Sequence, residues 1–297
     1  MKLRIGTRRS RLALAQAEEI RRRLADTGVE AELVPMVTSG DRGAPISASP
    51  SGLKGLFVAE IARALRDGDV DLAVHSAKDL PAEEEDDLVI AAVPERANPL
   101  DVLVTRDGEL RPGAVVGTSS LRRQAQILRW RSDVLLKDLR GNVDTRLSKL
   151  EEGEVDAVIL AAAGLLRLGI VPEHAAPMSV ADMVPAPGQG CLALQARTAD
   201  DETRAALSAL DHPESRVALE AERAVMHKLG GGCALPLGAF AAVQDHRVKL
   251  IAIVASPEGA RLVRAEVEAV TAAEAAERAA AELFAGGAGE ILAAVRG

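Results

Sequence analysis

The sequence predicts an α/β protein with two sheet-and-helix domains and a smaller α+β domain at the carboxyl end. Short apolar strands alternate with amphipathic helices through the first two thirds of the chain, a pattern typical of parallel sheets covered by helices. Three alternating strands with short turns and two alanine-rich helices then close the chain. A length of 297 residues suits two domains or three small ones.

Composition and charge exclude several classes of protein. The net charge is −8 and only 1% of the residues are aromatic, so the chain lacks the basic surface and stacking rings of a general nucleic-acid binder. No segment reads as a signal core or a membrane span, and we expect a cytoplasmic protein. The two cysteines, Cys191 and Cys233, are expected to be reduced thiols, and the cysteines and histidines show no metal-site spacing.

The first domain begins with a βαβ unit. Residues 3–5 and 32–37 are the predicted strands, and Ser10 is placed to cap the helix between them. A loop rich in glycine, proline and serine is predicted over 38–55. Lys54 lies at its end beside a helix start, where the sequence is compatible with both an anion site and an ordinary solvated lysine.

The predicted strand over 70–74 leads into a dense set of reactive side chains. These are His75, Ser76, Lys78 and Asp79. Lys78 and Asp79 are adjacent, so in an extended backbone they point to opposite faces and Asp79 can face a cleft. The alternative is a solvated strand end with a surface ion pair.

The second domain contains a helix start that is rich in hydroxyl groups and arginines. Its members are Thr118, Ser119, Ser120, Arg122 and Arg123. Arginines in a first turn have the wrong sign for the helix dipole unless an anion is present, so the pattern favours a carboxylate or phosphate site. The alternative is a hydroxyl cap with solvent-facing arginines. Cations recur at later strand-to-helix junctions, where open α/β sheets bind ligands, as Arg140, Arg146 and Arg167.

The chain then returns to the first domain and ends in the third. The proline- and glycine-rich stretch over 184–191 reads as a crossing, and residues 192–196 are predicted to rejoin the first sheet. A glycine-rich turn holds Cys233, which could be an exposed nucleophile or simply a small buried residue. The predicted domains are residues 1–96 with 191–210, residues 97–190 and residues 211–297.

Taken in order, these stretches resemble the porphobilinogen deaminase family, also called hydroxymethylbilane synthase. The motifs cover nearly the whole chain: RIGTRRSRLALAQ, KGLFVAEI, HSAKDLP, GTSSLRRQAQ, LRGNVDTRL, AAAGLLRLG, PAPGQG and GGGCALPLG. Each alone is weak, but the ordered set is specific. The resemblance implies two doubly wound lobes like those of periplasmic binding proteins, a cleft between them, and a small α+β carboxyl-terminal domain.

The resemblance also implies a reaction. The enzyme would join four porphobilinogen molecules head to tail, release ammonia at each step, and hydrolyse the product to the linear tetrapyrrole hydroxymethylbilane. A dipyrromethane cofactor, bound through a thioether at Cys233, would be the primer. Asp79 matches the acid/base residue, because a carboxylate there can steer protons and stabilise the cation left when ammonia departs. The implied partners are porphobilinogen and the growing oligopyrrole, with no nucleic acid and no membrane, and we expect a monomer.

The other site residues follow by motif match. Each pyrrole carries acetate and propionate, which accounts for clustered basic residues in an acidic protein. The implied cofactor ligands are Lys78, Thr118, Ser119, Ser120, Arg122, Arg123, Arg140 and Arg146. The implied substrate ligands are Arg8, Ser10, Lys54 and Arg167. The chain departs from the family at 50–53, which lacks a lysine that some relatives carry, and at Gln195, where Glu is usual.

Two other functions are compatible with parts of the sequence. A non-enzymatic anion-binding module of the periplasmic-binding class would explain the lobes and the arginines, but it needs neither Cys233 nor Asp79. A pyridoxal-phosphate enzyme could use Lys54 or Lys78, although no aspartate is identified to pair with the pyridine nitrogen.

Overall fold

The structure, a computed structural model, describes residues 1–36, 50–83, 85–231 and 235–296, without the side chains of 50–57 and 296. Within these residues the strands form two five-stranded sheets and one three-stranded sheet. Helices pack against each sheet, so the chain has the mixed α/β architecture that the sequence predicts, with two sheet-and-helix lobes and a small carboxyl-terminal sheet domain.

The first lobe contains strands from two separate segments of the sequence. Its strands are β1 (Lys2–Arg8), β2 (Glu30–Met36), β3 (Leu72–Ser76), β4 (Leu88–Ala92) and β10 (Leu192–Arg197). They lie in the order β2-β1-β3-β10-β4. β1 is parallel to β2 and β3, whereas β10 is antiparallel to β3 and β4, which confirms that the chain returns to this sheet. The helices of this lobe are α1 (Arg11–Asp26), α2 (Pro50–Arg66) and α6 (Asp201–Ser208).

The second lobe repeats this layout. Its strands are β5 (Asp101–Thr105), β6 (Val115–Gly117), β7 (Leu135–Lys137), β8 (Ala157–Ala161) and β9 (Ala175–Pro177), in the order β7-β6-β8-β5-β9. β6 is parallel to β7 and β8, and β5 is antiparallel to β8 and β9. Its helices are α3 (Leu121–Trp130), α4 (Val143–Glu151) and α5 (Ala162–Leu168).

The third sheet is fully antiparallel. The elements of its domain are α7 (Pro213–Lys228), β11 (Leu237–Gln244), β12 (Arg247–Ala255), β13 (Leu262–Ala269), α8 (Ala272–Ala285) and α9 (Ala288–Arg296). Its core consists mainly of alanine, valine and leucine from the sheet and the inner faces of α7 and α8. These small side chains fill the space between helix and sheet without aromatic rings.

Two segments of backbone cross between the lobes and touch each other. The amide of Ala97 on the outgoing crossing donates to the carbonyl of Gly190 on the return crossing, over 3.3 Å. Gly190 has a φ of +90°, and a Cβ atom there would lie 2.4 Å from the carbonyl oxygen of Ala97. Glycine is therefore required at this contact for both its conformation and its lack of a side chain.

Two local predictions are wrong. Helix α2 begins at Pro50, so residues 50–55 are helical and the predicted loop is shorter; its part over 38–49 lies outside the described residues. Proline is tolerated in a first helical turn, where its missing N–H has no partner to lose. Lys78 and Asp79 are not extended but lie in a single 3-10 turn, Ala77–Asp79. Neighbouring residues in such a turn still point about 120° apart, so the two side chains diverge as expected.

Candidate functional site

The end of β3 places a buried histidine next to the turn that carries Lys78 and Asp79. His75 is 6% exposed, and its Nε2 lies 3.1 Å from Oε1 of Gln195 on the neighbouring strand β10. Burial lowers the pKa of His75 to about 4, against smaller opposing effects of Gln195 and the charge of Asp79. His75 is therefore a neutral hydrogen-bonding group at pH 7, and Asp79, which is half-buried, is the acidic group of this turn.

Gln189 joins this turn to the second lobe. Lys78 Nζ donates to Gln189 Oε1 over 3.3 Å, and Gln189 Nε2 donates to Pro99 O at 2.7 Å and to Asp101 Oδ1 at 3.1 Å. Gln189 is fully buried, so its amide is fixed by these three contacts. In the sequence this glutamine reads only as part of a crossing, because nothing local marks its partners.

Arg122 and Arg123 form a buried cluster with Asp101. Arg122 Nη1 donates to Asp101 Oδ2 at 2.7 Å and to the carbonyl of Val184 at 2.7 Å. Arg123 donates to Asp101 Oδ1 and, through Nη1, to the carbonyl of Ile159 at 2.7 Å. Burial would raise the pKa of Asp101, but the two guanidinium groups outweigh it and hold that pKa well below its usual range.

This cluster supplies the anion that the dipole of α3 requires. The two arginines in the first turn of α3 are neutralised by the carboxylate of Asp101 on β5. An external carboxylate is therefore not needed to explain their position at the helix start. A role of Arg122 and Arg123 in binding a ligand stays a prediction.

The hydroxyl groups before α3 mainly hold the loop. Thr118 is fully buried and its Oγ1 accepts from the amide of Ser120 at 3.2 Å, while Ser119 Oγ donates to the carbonyl of Leu139 at 2.7 Å. Ser120 occupies the cap position of α3 but makes no side-chain capping bond. Among the three hydroxyls, that of Ser120 is therefore the one best placed to meet a ligand at the helix start.

Of two further predicted cations, Arg140 lies in the loop between β7 and α4 and Arg146 lies in α4. Arg140 is about half exposed and its Nε donates to Asp138 at 3.1 Å. Arg146 Nε donates to the carbonyl of Gly141 at 3.0 Å, which keeps the side chain folded over the loop. Among the described residues each of these arginines makes this one hydrogen bond, which leaves other N–H groups that could donate to a ligand carboxylate.

The start of α1 faces this same region of the second lobe. Ser10 caps α1 by accepting from the amide of Ala13 at 3.3 Å, as predicted, and it directly follows the β1 end that carries Arg8. Arg11 forms an ion pair with Asp144 in the first turn of α4. Arg8 and Ser10 thus lie just before the residue that makes this contact in the first lobe, and Arg146 lies just after its partner in the second.

Arg167 completes the contact between the lobes. Its Nε donates to Glu19 Oε2 on α1 at 3.0 Å and its Nη2 donates to the carbonyl of Gly190 at 3.2 Å.

Two predicted residues have no side-chain description: Lys54 is placed only as helical backbone within α2, and Cys233 lies outside the described residues.

The third domain is tied to the crossings by a buried carboxylate. Glu222 on α7 is fully buried, forms an ion pair with Arg96 at 2.6 Å, and accepts from the amides of Gly188 at 2.6 Å and Ala241 at 2.7 Å. This contact was not predicted, because Glu222 reads in the sequence as an ordinary helical glutamate. It ties α7 to the return crossing through Gly188 and to β11 through Ala241.

The described residues place several buried or half-buried cations and one acidic turn near the crossings between the lobes. Within them no group of three or more histidine, cysteine or acidic side chains could hold a metal ion. None of their helices combines the length and apolarity that crossing a membrane requires. Lys78, Arg122 and Arg167 each contact the return crossing, and Asp79 follows Lys78 in the 3-10 turn.

Comparison with known proteins gives a consistent result over the chain. The family model for the porphobilinogen deaminase dipyromethane cofactor binding domain matches residues 3–205, and the model for the porphobilinogen deaminase carboxyl-terminal domain matches residues 217–285. A protein named porphobilinogen deaminase from Brevibacillus brevis is 46% identical over 301 aligned residues, covering 99% of this chain and 97% of the relative. One of the same name from Syntrophotalea carbinolica is also 46% identical, covering 99% of this chain and 96% of the relative.

Similarity to solved structures is weaker. A putative methionine-binding lipoprotein from Bacillus subtilis is 13% identical and aligns with a TM-score of 0.42, covering 70% of this chain and 89% of that protein.

Proposed function

The chain belongs to the porphobilinogen deaminase family, and from that premise we propose that it is a hydroxymethylbilane synthase. It joins four porphobilinogen molecules head to tail with release of ammonia at each step, and water then frees the linear tetrapyrrole. Because a pyrrole unit is transferred to a growing chain, the enzyme is a transferase. The match of both family domains in sequence order is the observation that carries this proposal, and it leaves no support for an anion-binding module or a pyridoxal-phosphate enzyme.

The charge distribution supports the cleft between the lobes as the binding site. The protein has a net charge of −8, yet two ion pairs that involve arginine join the lobes: Arg11 with Asp144, close in sequence to Arg140 and Arg146, and Arg167 with Glu19. An acetate and a propionate on every pyrrole make the growing chain a polyanion, which requires such a set of cations. We propose Arg8, Ser10, Lys54 and Arg167 as substrate ligands.

Asp79 is the proposed acid/base residue. The 3-10 turn after β3 holds it half-buried, beside Lys78, whose ammonium group is directed to Gln189. In its protonated form a carboxyl group in this position can deliver a proton to the leaving amine, and the carboxylate that remains can stabilise the positive charge that develops on the ring. His75 is not suited to that role, because burial lowers the pKa of its imidazole to about 4 and it holds Gln195 instead.

The donor set also fits a dipyrromethane cofactor, whose carboxylates need several cationic and hydroxyl donors. When bound, this group supplies the ring carbon that accepts the first substrate unit. The residues proposed to hold it are Lys78, Thr118, Ser119, Ser120, Arg122, Arg123, Arg140 and Arg146. Cys233 is the proposed attachment point. The other thiol, Cys191, is fully buried in the core, and burial raises its pKa to about 12, so it is a poor nucleophile.

The location, the assembly state and the domain limits are further parts of the proposal. A cytoplasmic enzyme is supported by the low cysteine content and the free thiol of Cys191. A monomer follows from the family resemblance. The domain limits at 1–96 with 191–210, 97–190 and 211–297 are supported by the division of the strands among the three sheets.

Intact-protein mass spectrometry tests the proposed attachment. We expect the purified protein to carry a covalent adduct of two pyrrole units, and we expect Cys233→Ser to lose both the adduct and the activity. Cys191→Ala is the matched control, and it should keep the adduct. An active protein without any adduct would contradict the proposal, and so would an adduct that survives in Cys233→Ser.

A further inference from the structure

Arg167 lies where the two lobes and the return crossing meet. It is in the last turn of α5 in the second lobe, but its side chain donates to Glu19 on α1 of the first lobe and to the carbonyl of Gly190. Only 7% of its side chain is exposed. A guanidinium group in this position connects three parts of the chain at once.

Glu19 is held by two arginines. Its Oε2 accepts from Arg167 Nε at 3.0 Å, and its Oε1 accepts from Arg23 Nη2 at 2.8 Å, one turn further along α1. The Glu19 side chain is 20% exposed and that of Arg23 is 37% exposed. Glu19 can therefore reach water and keep Arg23 as a partner, whereas the mostly buried Arg167 needs another anion in its place.

Asp101 is a second internal carboxylate that neutralises predicted ligand arginines, but its environment is different. It is fully buried and accepts from both Arg122 and Arg123. If the carboxylate moved away from the two arginines, the charges of Asp101, Arg122 and Arg123 would all be buried without partners. The contact between Glu19 and Arg167 is a single hydrogen bond at the edge of the gap between the lobes, so it is the exchangeable one of the two.

We propose that Glu19 is a resident counter-ion of Arg167, which a carboxylate of the incoming pyrrole displaces. The inference rests on the proposed function, since it takes Arg167 as a substrate ligand. In the empty enzyme, the Glu19 carboxylate neutralises Arg167 and holds the lobes together across the gap. When a pyrrole carboxylate takes its place, Glu19 turns towards Arg23. Glu19 is thus a positioning residue that competes with the substrate and weakens its apparent binding.

The test is the steady-state kinetics of the holoenzyme with porphobilinogen for Glu19→Gln, which keeps the shape and removes the charge. Losing one partly exposed competitor should lower KM about three- to tenfold while kcat changes less than about twofold. Glu18→Gln is the matched control, because Glu18 is on the same helix and pairs with the nearby Arg21. A KM that is unchanged or higher in Glu19→Gln would overturn the inference.

Two further variants distinguish competition at Arg167 from an effect of Glu19 at a different point of the enzyme. In an Arg167→Gln background, adding Glu19→Gln should have no further effect on KM, because the two residues act on one step. A full additional effect would show that Glu19 acts elsewhere and would overturn the inference. If Glu19→Gln fails to fold, Glu19→Asp retracts the carboxylate and should lower KM in the same direction; no decrease would again overturn it. Failure of the proposed function is distinct, since the wild-type enzyme would then not consume porphobilinogen.

Discussion

Arg123 donates two hydrogen bonds to one oxygen atom of Asp101, from Nε at 3.0 Å and from Nη2 at 2.6 Å. Arg122 and Gln189 also donate to this carboxylate, so four N–H groups surround a side chain with no exposure to solvent. The cluster is therefore a structural element of the second lobe as well as part of the candidate site.

We expect Asp101→Asn to destabilise the protein strongly. The substitution leaves two buried guanidinium groups without a counter-charge, which costs about 3–5 kcal/mol. Denaturant unfolding should show a correspondingly lower midpoint. Asp138→Asn is the control, because Asp138 forms an exposed pair with Arg140 and its loss should cost less than about 1 kcal/mol. Equal stability of the two variants would contradict the assigned role of Asp101.

Asp79→Asn should fold and carry the covalent adduct but turn over at least about 100-fold more slowly, because the amide cannot deliver a proton to the leaving amine. Intact mass and the rate of porphobilinogen consumption measure the two effects separately. Asp86→Asn, which changes an exposed aspartate after the same turn, should retain the wild-type rate. Near-normal turnover by Asp79→Asn would show that Asp79 is not the acid/base residue.

Arg140→Leu should weaken binding without weakening the fold. Arg140 is about half exposed and its ion pair with Asp138 is local, so stability should change by less than about 0.5 kcal/mol. Loss of a charge-assisted hydrogen bond to a pyrrole carboxylate should slow elongation or raise KM about tenfold. The exposed Arg129, in the last turn of α3, offers the control Arg129→Leu, which should behave as wild type. If both variants keep full activity, Arg140 is not a ligand.

The buried His75 should make stability depend on pH in a defined window. Its pKa falls from 6.5 to about 4 on folding, so below pH 6.5 the unfolded chain takes up a proton that the folded protein does not. The contribution of His75 to the free energy of unfolding is therefore fully present above pH 7 and decreases as the pH falls towards 4. At pH 5 the loss is about 2 kcal/mol. Unfolding of wild type and His75→Gln at pH 7 and pH 5 measures this.

The His75→Gln variant should lose less stability than wild type between the two pH values. His246→Asn is a suitable comparison, because His246 is exposed in a hairpin turn whose positive φ asparagine tolerates. An identical pH dependence in wild type and His75→Gln would show that His75 does not titrate in this range.

The sequence was sufficient for features that depend on local pattern. The Ser10 cap and the return of residues 192–196 to the first sheet follow from turn chemistry and periodicity, and the structure confirms them. A strand before His75 is also present, but it spans Leu72–Ser76 rather than 70–74, so it begins two residues later and includes His75 itself. The family motifs likewise need only order and spacing.

The partners of the arginines could not be predicted in this way. Asp101 reads as the first residue of an apolar strand, and Glu19 lies 148 residues from Arg167, so no local pattern connects either one to its guanidinium group. Strand β9 was missed for a different reason: its three residues, Ala175–Pro177, are too short and too unpatterned to stand out.

The close contact at Gly190 restricts how the lobes can move. Because a Cβ atom at residue 190 would lie 2.4 Å from the carbonyl oxygen of Ala97, the two connecting backbones are in direct contact, and we expect them to act as one axis when the lobes move. Twisting about that axis keeps the backbones together, whereas sliding one lobe past the other would pull them apart. We therefore expect the enzyme to make room for a lengthening product by angular opening of the lobes, and we expect a larger residue at position 190 to push the two connecting backbones apart.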